Sequence, residues 1–182
     1  MPSQSPIPTP AIADGRLYTG GGFSSTEFYC FDAKSDRPIW QRTVSDDGPS
    51  APVVSDDTVV CNTESCTLFA LNTKNGNMLW SLYLGNPLMS TPTVSDGRVF
   101  TVYPALFPPD QLKQKPKQPV PAYVCICMDL KTGGVLWQKW VDGDCMTTPV
   151  AADGHLYVVT FPGTMYVFDQ RSGEVRSARA VR

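Results

Sequence analysis

One histidine, His155, is all the imidazole this sequence carries. That scarcity excludes zinc sites built from several histidines, and a Ser-His-Asp or Cys-His relay is open only if His155 itself serves. No apolar run approaches the ~20 residues that a membrane-crossing helix needs, and the run Tyr123 to Met128 falls far short of it, so no span is expected. The first ten residues are rich in Ser and Pro and lack the charged start and apolar stretch of a secretory signal. Either the chain is not exported or its true beginning is missing. A formal net charge of -2 supplies no basic field for phosphates, and nucleic acid is not an expected partner. Six cysteines in 182 residues are too few for disulfides to replace a core. No stretch holds apolar residues at three-and-four spacing for three turns, so helices are not expected.

What is present is a repeat. Four segments align, TPAIADGRLYTGG, SAPVVSDDTVVCN, STPTVSDGRVFTV and TTPVAADGHLYVV, with prolines at Pro10, Pro52, Pro92 and Pro149. Each is followed by a second matching segment, in which Asp32, Asn72, Asp129 or Asp169 precedes Lys34, Lys74, Lys131 or Arg171 by two places. Four places on stand Asp36, Gly76, Gly133 and Gly173; eight places on stand Trp40, Trp80 and Trp137, with Ser177 in the fourth repeat. The period is about 40 residues, the length of a four-stranded propeller blade.

Each unit reads as four short antiparallel strands. A β-rich run stops at an Asp-Gly type turn, where residues tolerant of positive φ join two strands tightly. A third strand ends at the Asp or Asn, and a Lys-x-Gly turn leads into the strand that carries the tryptophan. The expected fold is therefore an all-β propeller of four repeats. Its blades span roughly 9–44, 50–84, 90–141 and 147–182 of one domain, with a Pro-rich insertion at 104–121 in the third. A β-sandwich fits less well, because it needs no internal repeat, whereas stacked blades present the same surface each time.

The pattern of Pro92, Asp96-Gly97, Cys127-Met128-Asp129, Gly133 and Trp137 resembles the pyrroloquinoline-quinone (PQQ) type repeat. That repeat is known from quinoprotein alcohol dehydrogenases and from the outer-membrane assembly lipoprotein BamB. The resemblance covers the chain from Thr9 to about Val181. It implies that Trp40, Trp80 and Trp137 dock each blade on the next, with Cys30, Ala70, Cys127 and Val167 as the small buried position. Asp32, Asn72, Asp129, Asp169, Gly76, Gly133 and Gly173 belong to the same blade-docking set. Complete rings of the family usually have seven or eight blades, so four blades are half a ring, a four-plus-four homodimer, or a closed four-bladed unit.

The insertion, PALFPPDQLKQKPKQPVP, lies between the second and third strands of its blade, on the face propellers commonly use for ligands. Its proline density favours extended polyproline segments. Leu106, Phe107, Lys113, Lys115 and Lys117 mark it as a candidate contact loop, and a tolerated surface loop is an equal reading. Cys61 and Cys66 bracket a hairpin and either face each other as a disulfide or remain thiols. Cys125 and Cys127 share one strand face, but nothing completes a zinc set. Asp46, Asp47, Asp142 and Asp144 fall in links between blades, as cation ligands or as solvated loop acids. His155 sits at a turn edge on the opposite face.

Two functions follow from these residues. The first is a non-catalytic scaffold that binds a protein partner or missing blades, without a cofactor, in the periplasm or outside the cell. The second is a fragment of a dehydrogenase that uses PQQ with calcium once the propeller is complete.

Overall fold

The computed structural model describes residues 7–85, 91–105, 122–145 and 147–181. Sixteen strands form four antiparallel sheets. The first blade contains β1 (Ala11–Ala13), β2 (Arg16–Gly20), β3 (Glu27–Asp32) and β4 (Pro38–Thr43). The second contains β5 (Val53–Ser55), β6 (Thr58–Cys61), β7 (Thr67–Asn72) and β8 (Met78–Tyr83). The third contains β9 (Thr93–Ser95), β10 (Arg98–Ala105), β11 (Ala122–Asp129) and β12 (Val135–Val141). The fourth contains β13 (Val150–Ala152), β14 (His155–Val159), β15 (Thr164–Asp169) and β16 (Val175–Ala180). In every sheet the strands pair in sequence order. The chain is an all-β propeller array.

The turns explain why the strands stop where they do. At Asp96 and Gly97 both φ angles are positive, 49° and 69°, a geometry that matches the twist of two tightly joined strands. Asp14, Asp56 and Asp153 repeat the positive φ in the other blades. One difference from the sequence pattern lies in the third blade. Pro104 and Ala105 belong to β10 and pair with Tyr123 and Ala122, so this hairpin carries its ladder further than the others.

The core is not one cluster but three, each lying between two blades. Period-two alternation sends successive side chains of a strand to opposite faces. In β7, Phe69 and Leu71 pack toward the first blade with Tyr18, Phe28 and Cys30, while Leu68 and Ala70 pack toward the third. In β11, Val124, Ile126 and Met128 face the second blade, and Cys125 and Cys127 face the fourth with Leu156, Val158 and Phe168. The second and third blades are thus buried on both faces. The first and fourth are each packed on one.

The innermost strands adjoin in order, β1 beside β5, β5 beside β9 and β9 beside β13. Among the described residues no strand of the first blade makes a comparable contact with the fourth. The four blades form an open arc.

Candidate functional site

The repeated residues build the joints. The Trp40 indole N–H donates to the Thr73 carbonyl of the second blade at 2.9 Å. Trp80 donates to the Leu130 carbonyl of the third blade at 2.9 Å, and Trp137 to the Gln170 carbonyl of the fourth at 3.0 Å. Each indole also lies against the glycine of the blade it reaches. A β-carbon at Gly76, Gly133 or Gly173 would come within 2.7, 2.7 and 2.5 Å of Trp40, Trp80 and Trp137 respectively. Only glycine leaves room there, and its φ near 70° suits it equally. Trp40, Trp80 and Trp137 are each paired in register with Cys30, Ala70 and Cys127, small residues that are fully buried. Burying an aromatic side chain contributes about 1.5–3 kcal/mol, repeated here at every joint.

In the fourth blade the same register position pairs Val167 with Ser177. Val167 is only partly buried, with no other described blade packed on that face. Arg42, two places beyond Trp40, adds a contact the sequence pattern did not single out: its guanidinium donates to the Asn75 carbonyl across the first joint.

The carboxylate at the end of each third strand caps the turn that carries the glycine. Asp129 Oδ1 accepts from the N–H groups of Lys131 and Thr132 and from the Thr132 hydroxyl, at 3.1, 2.8 and 2.8 Å. Asp32 and Asp169 do the same through Ser35 and Ser172, and Asn72 accepts from Lys74 and Asn75. These hydrogen bonds hold the Asp32, Asp129 and Asp169 carboxyls below the usual range. The role needs an oxygen acceptor rather than a charge, which is why Asn72 serves.

The link acids have partners in the hairpins of the next blade. Asp46, between β4 and β5, accepts from the Thr63 hydroxyl. Asp142, between β12 and β13, accepts from Thr160 at 2.7 Å and also from Thr164. Burial pushes Asp46 up, yet the hydroxyls of Thr63, Thr67 and Ser65 outweigh it and hold its carboxyl below the usual value. Both acids latch a link onto the hairpin between the second and third strands of the following blade. A signal for this was present in the pairs Thr63/Thr67 and Thr160/Thr164, each four apart, but it emerges only once the link is placed beside the hairpin. Asp144 lies deeper, and burial raises its carboxyl. Among the described residues no three His, Cys, Asp or Glu side chains gather as a metal-binding group.

The cysteines are free and buried. Cys61 pairs in register with Phe69 rather than with Cys66, which sits at the turn with φ of 60°. Of the two alternatives for this pair the structure holds the free thiols: the hairpin of β6 and β7 offsets them, with Cys61 packed toward the first blade and Cys66 toward the third. Burial pushes Cys61 up to about 12 and Cys66 up to about 11. Cys125 and Cys127 face the fourth blade, where Cys145 joins them from the link. His155 Nδ1–H donates to the Asp153 carbonyl at 2.9 Å, at the turn edge and away from the link acids.

A groove of about 320 Å³ opens between the second and third blades, lined by Asp56, Asp57, Asn72, Leu79 and Lys131 among others. Asp57 pairs there with Lys74 at 3.2 Å and Asn72 is held in its turn. A planar quinone with calcium asks for an open indole face and grouped oxygen ligands. Trp40, Trp80 and Trp137 are packed against glycine and have their N–H groups committed, so these three indoles offer no floor for that group. The candidate contact residues Leu106, Phe107, Lys113, Lys115 and Lys117 lie outside the described residues.

The face that carries the links and the hairpins between second and third strands also carries exposed aromatics. Phe23 and Phe161 stand 55% and 57% exposed at those hairpins in the first and fourth blades. Tyr83, at the end of β8 where the chain turns into a link, is 68% exposed.

Comparison with known proteins places this geometry among relatives. A family model described as "Outer membrane protein assembly factor BamB" matches residues 2–99 and 122–176. The outer membrane protein assembly factor BamB of Yersinia pestis is 27% identical over 176 residues, which are 88% of this chain and 40% of that protein. The chain therefore spans well under half the length of this curated relative. The crystal structure of BamB from Moraxella catarrhalis superposes with a TM-score of 0.69 at 19% identity, over 97% of this chain and 50% of that one. The quinohemoprotein alcohol dehydrogenase of Comamonas testosteroni gives 0.71 at 13% identity, over 97% of this chain and 35% of that one, a likeness of fold alone.

Proposed function

The chain belongs to the family of the outer membrane protein assembly factor BamB, and from that premise we propose that it is a non-catalytic scaffold that engages protein partners on the loop face of its propeller, in the periplasm. The observation that carries this reading is the set of aromatic side chains left in solvent on that one face, Phe23, Tyr83 and Phe161. Aromatic residues standing out from a rigid frame make binding anchors, because they contribute large contact area while freezing few rotors. The latched links beneath them keep the frame stiff, through Asp46 to Thr63 and Asp142 to Thr160.

The partner chemistry that fits is an extended polypeptide rich in alternating apolar side chains, the pattern of a membrane β-barrel strand before it folds. No cofactor enters this reading.

The test uses a fluorescently labelled, urea-diluted outer-membrane β-barrel polypeptide as probe, titrated by anisotropy with the intact chain. Saturable binding that weakens at least about tenfold in Phe23→Ser with Phe161→Ser, while far-ultraviolet dichroism is unchanged, supports the scaffold. Absence of binding up to about 100 μM overturns it, since affinities weaker than that are non-specific in scale. Dye-linked alcohol oxidation by the protein incubated with PQQ and calcium also overturns it.

A further inference from the structure

The outer strand of each blade, β4, β8, β12 or β16, stands last in its sheet, so among the described residues its far edge pairs with no other strand. An open edge presents free N–H and C=O groups to any extended chain that meets it, and charged side chains or proline on the strand are the usual guard. Three of these edges are guarded: β4 carries Pro38 and Arg42, β12 carries Lys139, and β16 carries Arg176 and Arg179. The strand β8 reads Met-Leu-Trp-Ser-Leu-Tyr, with neither charge nor proline.

The register fixes which backbone groups of β8 are free. The Leu84 N–H donates to the Cys66 carbonyl at 2.8 Å, and Tyr83 stands opposite Thr67. Residues of an antiparallel ladder alternate between bonding inward and pointing outward. Leu82 and Trp80 therefore bond toward β7, while Ser81 and Tyr83 turn their N–H and C=O groups away from the sheet. The side chains agree with the backbone. Met78, Leu79, Ser81 and Tyr83 are exposed and uncharged, whereas Trp80 is buried in the joint with the third blade. The first and third blades pack on the two faces of this blade, so its outer edge is open in spite of a neighbour on either side.

We infer that the outer edge of β8 takes an extended, uncharged polypeptide segment as an added strand of the second blade, its backbone pairing with Ser81 and Tyr83. Free groups at strand spacing ask for a β backbone, and side-chain contacts along the strand then select the sequence. Here those contacts are Met78, Leu79 and Tyr83, which suit apolar side chains, and the charges on β4 and β12 confine such a segment to this blade. Tyr83 also belongs to the exposed aromatics of the loop face, so the edge continues that surface onto the rim of the propeller. The partner's class comes from the scaffold reading, on which this pairing rests; the edge adds where the partner's backbone is held.

The probe is a peptide of about eight residues alternating Thr and Val, N-methylated along one edge so that it pairs with β8 but not with itself. Titrated into the intact, nitrogen-15-labelled chain, it is expected to slow hydrogen exchange at the Ser81 and Tyr83 amides at least about tenfold at saturation. Ser81→Lys places a charge on the open edge and weakens peptide binding at least about tenfold, while Ser81→Thr leaves it unchanged; both are exposed changes, checked by far-ultraviolet dichroism. No binding up to about 1 mM overturns the pairing. Binding that leaves the Ser81 and Tyr83 amides unprotected, or that is indifferent to Ser81→Lys, also overturns it. The barrel-polypeptide titration reports separately on the scaffold: binding there that survives Ser81→Lys but is lost in Phe23→Ser with Phe161→Ser keeps the loop face and removes the edge.

Discussion

The Trp80 indole lies against Gly133 in the next blade, so close that a β-carbon there would sit 2.7 Å from Trp80 Cδ2. The two residues are one device: the indole supplies area and an N–H for the Leu130 carbonyl, and the glycine supplies the space.

That device makes the two positions non-additive. Trp80→Ala is expected to cost about 3–5 kcal/mol in urea unfolding, from lost burial and the cavity left behind. Gly133→Ala alone is expected to cost about 1–3 kcal/mol, since the methyl meets the ring and the left-handed φ disfavours alanine. In the double variant the methyl meets no ring, so the combined loss falls short of the sum of the two, and a double-mutant cycle reads the difference.

The latches are tested by removing one hydroxyl. Thr63→Val keeps the side-chain shape and takes the donor from Asp46, and the expected cost is about 1 kcal/mol of stability. Deprived of that donor, the Asp46 carboxyl rises toward or above the usual range, because burial already pushes it that way. Carboxyl titration followed by nuclear magnetic resonance measures the shift; an unmoved Asp46 removes the latch from the account.

Acid sensitivity follows from the turn carboxylates. Asp32, Asp129 and Asp169 have folded-state values lowered by the N–H and hydroxyl groups they accept from. A lowered folded value contributes stability in full above the unfolded value near ~3.9, and the contribution is lost as pH falls through the folded values. Replacing all three with Asn keeps the acceptor that Asn72 already illustrates. Melting temperatures measured from pH 7 downward are expected to fall less steeply below about pH 4 in the triple variant.

The cysteines give a readout of joint integrity. Burial pushes Cys61 and Cys127 up to about 12 and Cys66 up to about 11, and Cys125 well above the usual thiol value. At pH 8 the native protein is expected to react slowly with a disulfide reagent, because reaction needs the exposed thiolate. All six thiols react after unfolding in urea. Prompt native reaction at Cys125 or Cys127 would show that the joint between the third and fourth blades opens.

Strand order, the turns at Asp14, Asp56, Asp96 and Asp153, and the register positions of the tryptophans were legible in the sequence. They are local, and a repeat states the same local solution four times. The loop latches were less visible, because Asp46 and Thr63 come from different blades and share no short motif. For Cys61 and Cys66, closeness along the chain left a disulfide and two thiols both open, and the hairpin register decided for the thiols.

The sequence alone determined that this chain folds as repeated four-stranded blades with tryptophan and glycine at matched places, because strand period, turn chemistry and repeat spacing all act within one unit. Only the tertiary structure decided what those residues do for one another. It set each indole against a glycine more than thirty residues away and laid the links that carry Asp46 and Asp142 on the hairpins of the following blades, relations that no spacing along the chain contains. Those contacts depend on how one sheet lies on the next, and that is fixed by packing between blades rather than by any segment within them.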